Sequence, residues 1–89
     1  MVYQVQFTHR AERAFASLPQ GTRIRIAVAL EKYAADPLRR HDVKKIKGCP
    51  PEKPRYRMRI GDYRLIFLIV RNHMVICVVS VGKRKNMEY

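Results

Sequence analysis

Basic side chains recur at every second residue in Arg55-Tyr56-Arg57-Met58-Arg59, and Arg64 follows five residues later. Close to the C-terminus, Lys83-Arg84-Lys85 adds three further cations. A guanidinium offers a planar fork of N–H donors that matches two oxygens of one phosphate or carboxylate. Several of them together can hold an anion and stabilise negative charge as it develops. A period of two places alternate residues on one side of an extended strand, so Arg55, Arg57 and Arg59 would line a single face. From residue 39 to residue 64 there are ten Lys or Arg and three acids, a local balance of 10 − 3 = +7. The whole chain carries 19 Lys or Arg against 7 Asp or Glu, a formal charge of +12 on 89 residues. Such a charge selects polyanions or acidic proteins as partners, because neutralisation of phosphates by Lys and Arg dominates nucleic-acid affinity.

Other chemistries find less support. His9 opens a helical segment, His41 lies in a loop and His73 in a turn at the far end of the sheet from Arg64, so no histidine pair forms an acid–base couple. Asp42, Glu52, Asp62 and Glu88 are scattered among cations and make no carboxylate cluster for a metal. Neither a cofactor nor a metal is therefore expected. Two cysteines, Cys49 and Cys77, are too few for a disulfide framework or a zinc site. Cys49 reads as a passive loop thiol and Cys77 as a small core residue.

Eighty-nine residues, 47% of them hydrophobic, suit one folded domain spanning 1–89 rather than a disordered polycation. The longest uncharged apolar run, Leu65 to Val70, is far below the ~20 residues of a membrane span. No signal-peptide pattern opens the chain, so a cytoplasmic location away from membranes is expected.

Val2 to Phe7 alternates as a half-buried strand. Thr8 is a natural N-cap for a short helix whose stripe is Ala11, Ala14, Phe15 and Leu18. After Pro19 and Gly21 a longer helix runs to about Ala35, with Ile24, Ala27, Leu30 and Ala34 at helical spacing. Asp36-Pro37 ends it, since proline disfavours helical geometry in the residue before it. Lys45-Ile46-Lys47 reads as a short strand ended by Gly48, and three prolines between Cys49 and Pro54 demand a loop. Strands at Arg55–Ile60, Tyr63–Arg71 and Met74–Val81 follow, joined at Gly61-Asp62 and Asn72-His73. The expected class is α+β: a helical hairpin packed on a small, mainly antiparallel, twisted sheet in the order βααββββ.

A two-residue loop at Gly61-Asp62 sets Ile60 opposite Tyr63, Arg59 opposite Arg64, Met58 opposite Leu65 and Arg57 opposite Ile66. Tyr56, Met58, Ile60, Tyr63, Leu65, Phe67 and Ile69 then share the face that seats the helices. Arg55, Arg57, Arg59 and Arg64 share the other. The next hairpin pairs Val70 with Val75 and, further along, Arg64 with Val81, so the tail at Lys83-Arg84-Lys85 leaves beside Arg64. Like charges opposite each other in a sheet repel, and a small domain has little stability to offset that. Four arginines converging from three segments thus call for an anion. The same face carries Ile66, Leu68, Val70, Val75, Cys77 and Val79, which fits either ordinary burial or a docking surface.

Lys45-Ile46-Lys47-Gly48, Tyr56-Arg57-Met58-Arg59, Gly61-Asp62-Tyr63-Arg64-Leu65-Ile66-Phe67 and Ser80-Val81-Gly82-Lys83-Arg84 together resemble the RelE/ParE toxin family, in order and spacing, across essentially the whole chain. The resemblance implies the same fold and a toxin of a type II toxin–antitoxin system. For the RelE branch it implies an endoribonuclease (mRNA interferase) that cleaves mRNA in the ribosomal A site; for the ParE branch, a DNA gyrase inhibitor without nuclease activity. On the RelE reading Lys47 contacts phosphate, Arg57 and Arg59 stand where the best-known members have lysine, and Arg64 stabilises the transition state. Arg84 acts as general acid or phosphate stabiliser, and Tyr89 stacks on the RNA. Lys53, Arg55, Lys83 and Lys85 flank these as substrate-binding candidates.

Cleavage by the neighbouring 2′-OH needs a proton acceptor, in-line geometry and charge stabilisation, and a metal-free cationic cluster can supply the last. A guanidinium keeps its proton near neutral pH, so Arg57 and Arg59 cannot serve as the base. Lys53, Glu88 or ribosomal RNA are the alternatives. The chain also ends at Tyr89, without the C-terminal helix of some members. Expected partners are the ribosome with its mRNA and a RelB-like antitoxin. Such an antitoxin would bring an acidic segment that folds on binding to make a hetero-oligomer. A decayed toxin that retains only a basic binding module is the third reading.

Overall fold

The computed structural model describes residues 3–36, 43–48 and 54–83. Along the chain come β1 (Gln4–Phe7), α1 (His9–Ala16), α2 (Gln20–Ala35), β2 (Val43–Lys45), β3 (Arg55–Ile60), β4 (Tyr63–Val70) and β5 (Val75–Lys83). The five strands form one sheet in the order β1-β5-β4-β3-β2. β1 runs parallel to β5 and the other pairs are antiparallel, in keeping with the mainly antiparallel sheet expected. Thr8 caps α1 by accepting a hydrogen bond from the Ala11 amide at 3.1 Å. Its own amide donates to the Val78 carbonyl at 2.9 Å, tying the end of β1 to the centre of β5.

The core lies between the helices and one face of the sheet. Ala11 of α1 and Ile26, Leu30, Tyr33 and Ala34 of α2 meet Met58, Leu65, Phe67, Ile76 and Val78. Phe67 is fully buried and central: the Tyr33 ring packs edge-on to it at 5.3 Å and Tyr56 stacks on it at 5.8 Å. The buried stripe of α2 differs from the one expected. Leu30 and Ala34 are inside, but Ala27 is exposed and Ile24 keeps 54% of its surface, while Ile26 and Tyr33 take the inward positions. Residues 24 and 26–30 are all apolar, so several helical phases look alike until the sheet selects one.

The β3–β4 hairpin has the expected register, with Arg59 opposite Arg64 and Arg57 opposite Ile66. Three details depart from expectation. The β4–β5 connection is a 3-10 turn at Arg71–His73 followed by Met74 in the left-handed region (φ 52°), a longer loop than Asn72-His73 alone. The short strand β2 begins at Val43 rather than Lys45, because Val43 sits opposite Met58 and packs on the core. Lys47 and Gly48 (φ 87°) form the turn after it, although the Ile46 amide still donates to the Arg55 carbonyl at 2.9 Å. Lastly, the pairing shifts from Phe67↔Val78 to Ile66↔Ser80, a β-bulge at Val79. An extra residue exchanges the faces of everything beyond it. Arg64 therefore lies opposite Gly82, not Val81, and Val81 turns to the core beside Leu65.

Candidate active site

Successive rows of side chains build the open face of the sheet, the one away from the helices. In one row Lys44 of β2, Arg57 of β3, Ile66 of β4 and Ser80 of β5 stand side by side. In the next, Arg59, Arg64 and Gly82 do so. Arg55, opposite Leu68, extends the basic line of β3 in the other direction. Arg64 is buried, with 6% of its surface exposed; Arg57 is half-buried, and Arg59, Arg55 and Lys44 are exposed. The arrangement has a floor of Arg64 and Ile66 and a rim of cations on β2 and β3. Gly82 contributes no side chain opposite Arg64 in the central strand.

Of the residues singled out by sequence, Arg57, Arg59 and Arg64 share this face, with Arg55 beside them. Lys83 does not: its partner is Tyr63, whose row points to the helix side. The bulge moved it there. Lys47 lies in the turn after β2, exposed. Arg84, Tyr89, Lys53 and Lys85 lie outside the described residues. Lys44 was missed, because starting the strand at Lys45 left it out of the alternation; Val43, a β-branched residue able to pair with the core row, was the available signal.

Cys77 is half-buried on the open face opposite Leu68 and is not part of the core cluster, so the expected core role fails. Ile66 is buried on that face, while Leu68, Val70, Val75 and Val79 remain half-exposed. Among the described residues no three of His, Cys, Asp and Glu gather where they could hold a metal ion. At the hairpin tip Gly61 adopts φ 58°, and the Arg25 guanidinium of α2 rests on it, 3.1 Å from where a β-carbon would stand.

A basic floor and rim on a five-stranded sheet backed by two helices can be compared with known proteins. Residues 5–88 match the family model of the ParE toxin of the type II toxin–antitoxin system parDE. The chain belongs to the RelE/ParE toxin family. Over 88 residues it is 28% identical to the mRNA interferase toxin RelE of Escherichia coli K12, covering 99% of this chain and 90% of that one. The archaeal RelE in the RelE–RelB complex of Pyrococcus horikoshii superposes with a TM-score of 0.79 at 28% identity, covering 98% of this chain and 100% of that one. The isolated E. coli RelE toxin gives 0.77 at 25% identity, covering 97% and 88%. The chain is a RelE-like toxin, and its helical pair on a mixed sheet is the RelE fold. Among the described residues no helix is long and apolar enough to cross a membrane.

Proposed function

We propose that this toxin is a ribosome-dependent endoribonuclease that cuts mRNA in the A site by attack of the 2′-OH on the adjacent phosphodiester, without a metal ion. The observation that carries the reading is the placement of Arg64, buried in the central strand, directly opposite Arg59 and one row from Arg57. In the reaction the 2′-oxygen bonds to phosphorus, the bond to the 5′-oxygen breaks, and a 2′,3′-cyclic phosphate and a 5′-hydroxyl end remain. Arg64 meets the charge that accumulates on the phosphorane oxygens. Preorganised donors in a water-poor site are worth most there, about 10²–10³ in rate for one donor. Arg57 and Arg59 hold the scissile phosphate and its neighbour, with Lys47, Lys53, Arg55 and Lys85 as further phosphate contacts. Arg84 stabilises the leaving side and Tyr89 stacks on a base. Lys83 loses its part here, since its row points away.

The names of the relatives support the same reading, since one is an mRNA interferase and another was solved with its RelB antitoxin. The cognate partner in this proposal is a RelB-like antitoxin with an acidic segment that covers the arginines. Adding the purified toxin to programmed ribosomes and mapping mRNA ends tests the reaction, with Arg64→Ala/Arg84→Ala as the control. Cleavage by wild type alone supports it; intact mRNA, or equal cleavage by the double variant, refutes it. Intact mRNA together with blocked supercoiling by gyrase would select the ParE-type activity instead.

A further inference from the structure

The reaction just proposed leaves one role unfilled, since a guanidinium does not accept the 2′-OH proton at neutral pH. The inference that follows rests on that reading and completes it. We infer that Lys44 is the proton acceptor of the cleavage site. Its register is the ground for this. β2 pairs with β3 through Val43↔Met58, Lys44↔Arg57 and Lys45↔Tyr56, so Val43 and Lys45 turn to the helix side and Lys44 alone turns to the open face. The other strand lysine, Lys83, is opposite Tyr63 on the helix side. Among the described strand residues Lys44 is therefore the one amine in the company of Arg57, Arg59 and Arg64.

Distance agrees with the role. Lys44 and Arg64 are two strands and one side-chain row apart, roughly 12 Å at the backbone for strands about 4.8 Å apart and a rise of about 3.4 Å per residue. Lysine and arginine side chains are long, so groups rooted that far apart can address one phosphodiester from two sides. β3 packs against β2 and turns Arg57 directly, and Arg55 and Arg59 diagonally, toward Lys44. These guanidinium groups can grip the phosphate while the exposed amine stands at the rim. In the step, the Lys44 amine takes the 2′-OH proton, the 2′-oxygen bonds to phosphorus, and the departing 5′-oxygen takes a proton from water.

Lys44→Arg keeps the charge and removes the acceptor, whereas Lys44→Ala removes both. Single-turnover cleavage on programmed ribosomes would be followed from about pH 6 to about pH 9, together with mRNA and ribosome binding. A positioned base contributes about 10²–10⁴ in rate, so Lys44→Arg should slow cleavage by at least ~10²-fold with binding intact. Lys44→Arg cleaving within about threefold of wild type would overturn the inference, because the residue would then act as a charge only. So would a loss of the same size in Lys53→Arg or Glu88→Gln with Lys44→Arg unaffected. In either case the proposed reaction survives, since Arg64→Ala/Arg84→Ala still reports on it. A wild type that leaves mRNA intact removes the reaction and this role together.

Discussion

Replacing Arg64 by Met should make the protein more stable and less active. The side chain has 6% of its surface exposed and stands opposite Arg59. Met retains an unbranched stem of similar length and removes the charge. Were the two guanidinium groups about 7 Å apart, 332/(εr) would give ~0.6 kcal/mol of repulsion at ε ≈ 80 and ~2.4 kcal/mol at ε ≈ 20. Arg59 is exposed, which pulls the value toward the lower end, so about 1 kcal/mol is the working figure. Each kcal/mol moves the midpoint by about 4–8 °C in a domain of 60–100 residues, so Arg64→Met should melt roughly 4–8 °C above wild type at low salt. Added salt should narrow the gap, because screening relieves wild type more than the variant. Cleavage on ribosomes should fall by about 10²–10³. Calorimetry at two ionic strengths beside the cleavage assay decides the matter. A midpoint several degrees below wild type would refute the reasoning, since it would make Arg64 a structural cation rather than one held against its own repulsion.

Three further outcomes follow from the packing. Ile26→Ala should cost about 2–5 kcal/mol in urea unfolding and Ile24→Ala less than about 0.5 kcal/mol, because Ile26 is enclosed and Ile24 is not; equal losses would contradict the inward phase of α2. Gly61→Ala should cost about 1–2 kcal/mol, since φ 58° is left-handed and the new methyl meets Arg25, and an unchanged unfolding curve would contradict it. Burial, then the neighbouring Tyr56, raises the Tyr33 hydroxyl above its ordinary value of 10.0. The unfolded chain then releases that proton first, so the contribution is full below pH 10.0 and is lost as pH rises through the higher folded value. Tyr33→Phe should flatten that part of the alkaline decline, and a decline identical to wild type would contradict it.

The α+β class, the element order and the β3–β4 register were legible because Gly61-Asp62 between two alternating runs leaves one pairing that buries Met58, Leu65 and Phe67 together. That register alone brought Arg57, Arg59 and Arg64 to one face. What escaped has local causes. The bulge at Val79 sits in Val78-Val79-Ser80, where no glycine or proline marks it, so the turn of Lys83 to the helix side was not legible. Strand β2 is three residues long, too short for its period to be read, and Lys44 was lost with it. The long apolar run in α2 concealed which residues point inward. Parallel pairing of β1 with β5 is a long-range choice that neither segment encodes by itself.

The ends left on a cut mRNA test the central claim most directly. Attack by the 2′-OH under a guanidinium cluster leaves a 2′,3′-cyclic phosphate upstream and a 5′-hydroxyl downstream, and a single 2′-deoxy nucleotide at the cut position abolishes cleavage there. A 5′-phosphate on the downstream fragment, or undiminished cutting beside the 2′-deoxy nucleotide, would mean that water rather than the ribose attacks and that this cluster does other work.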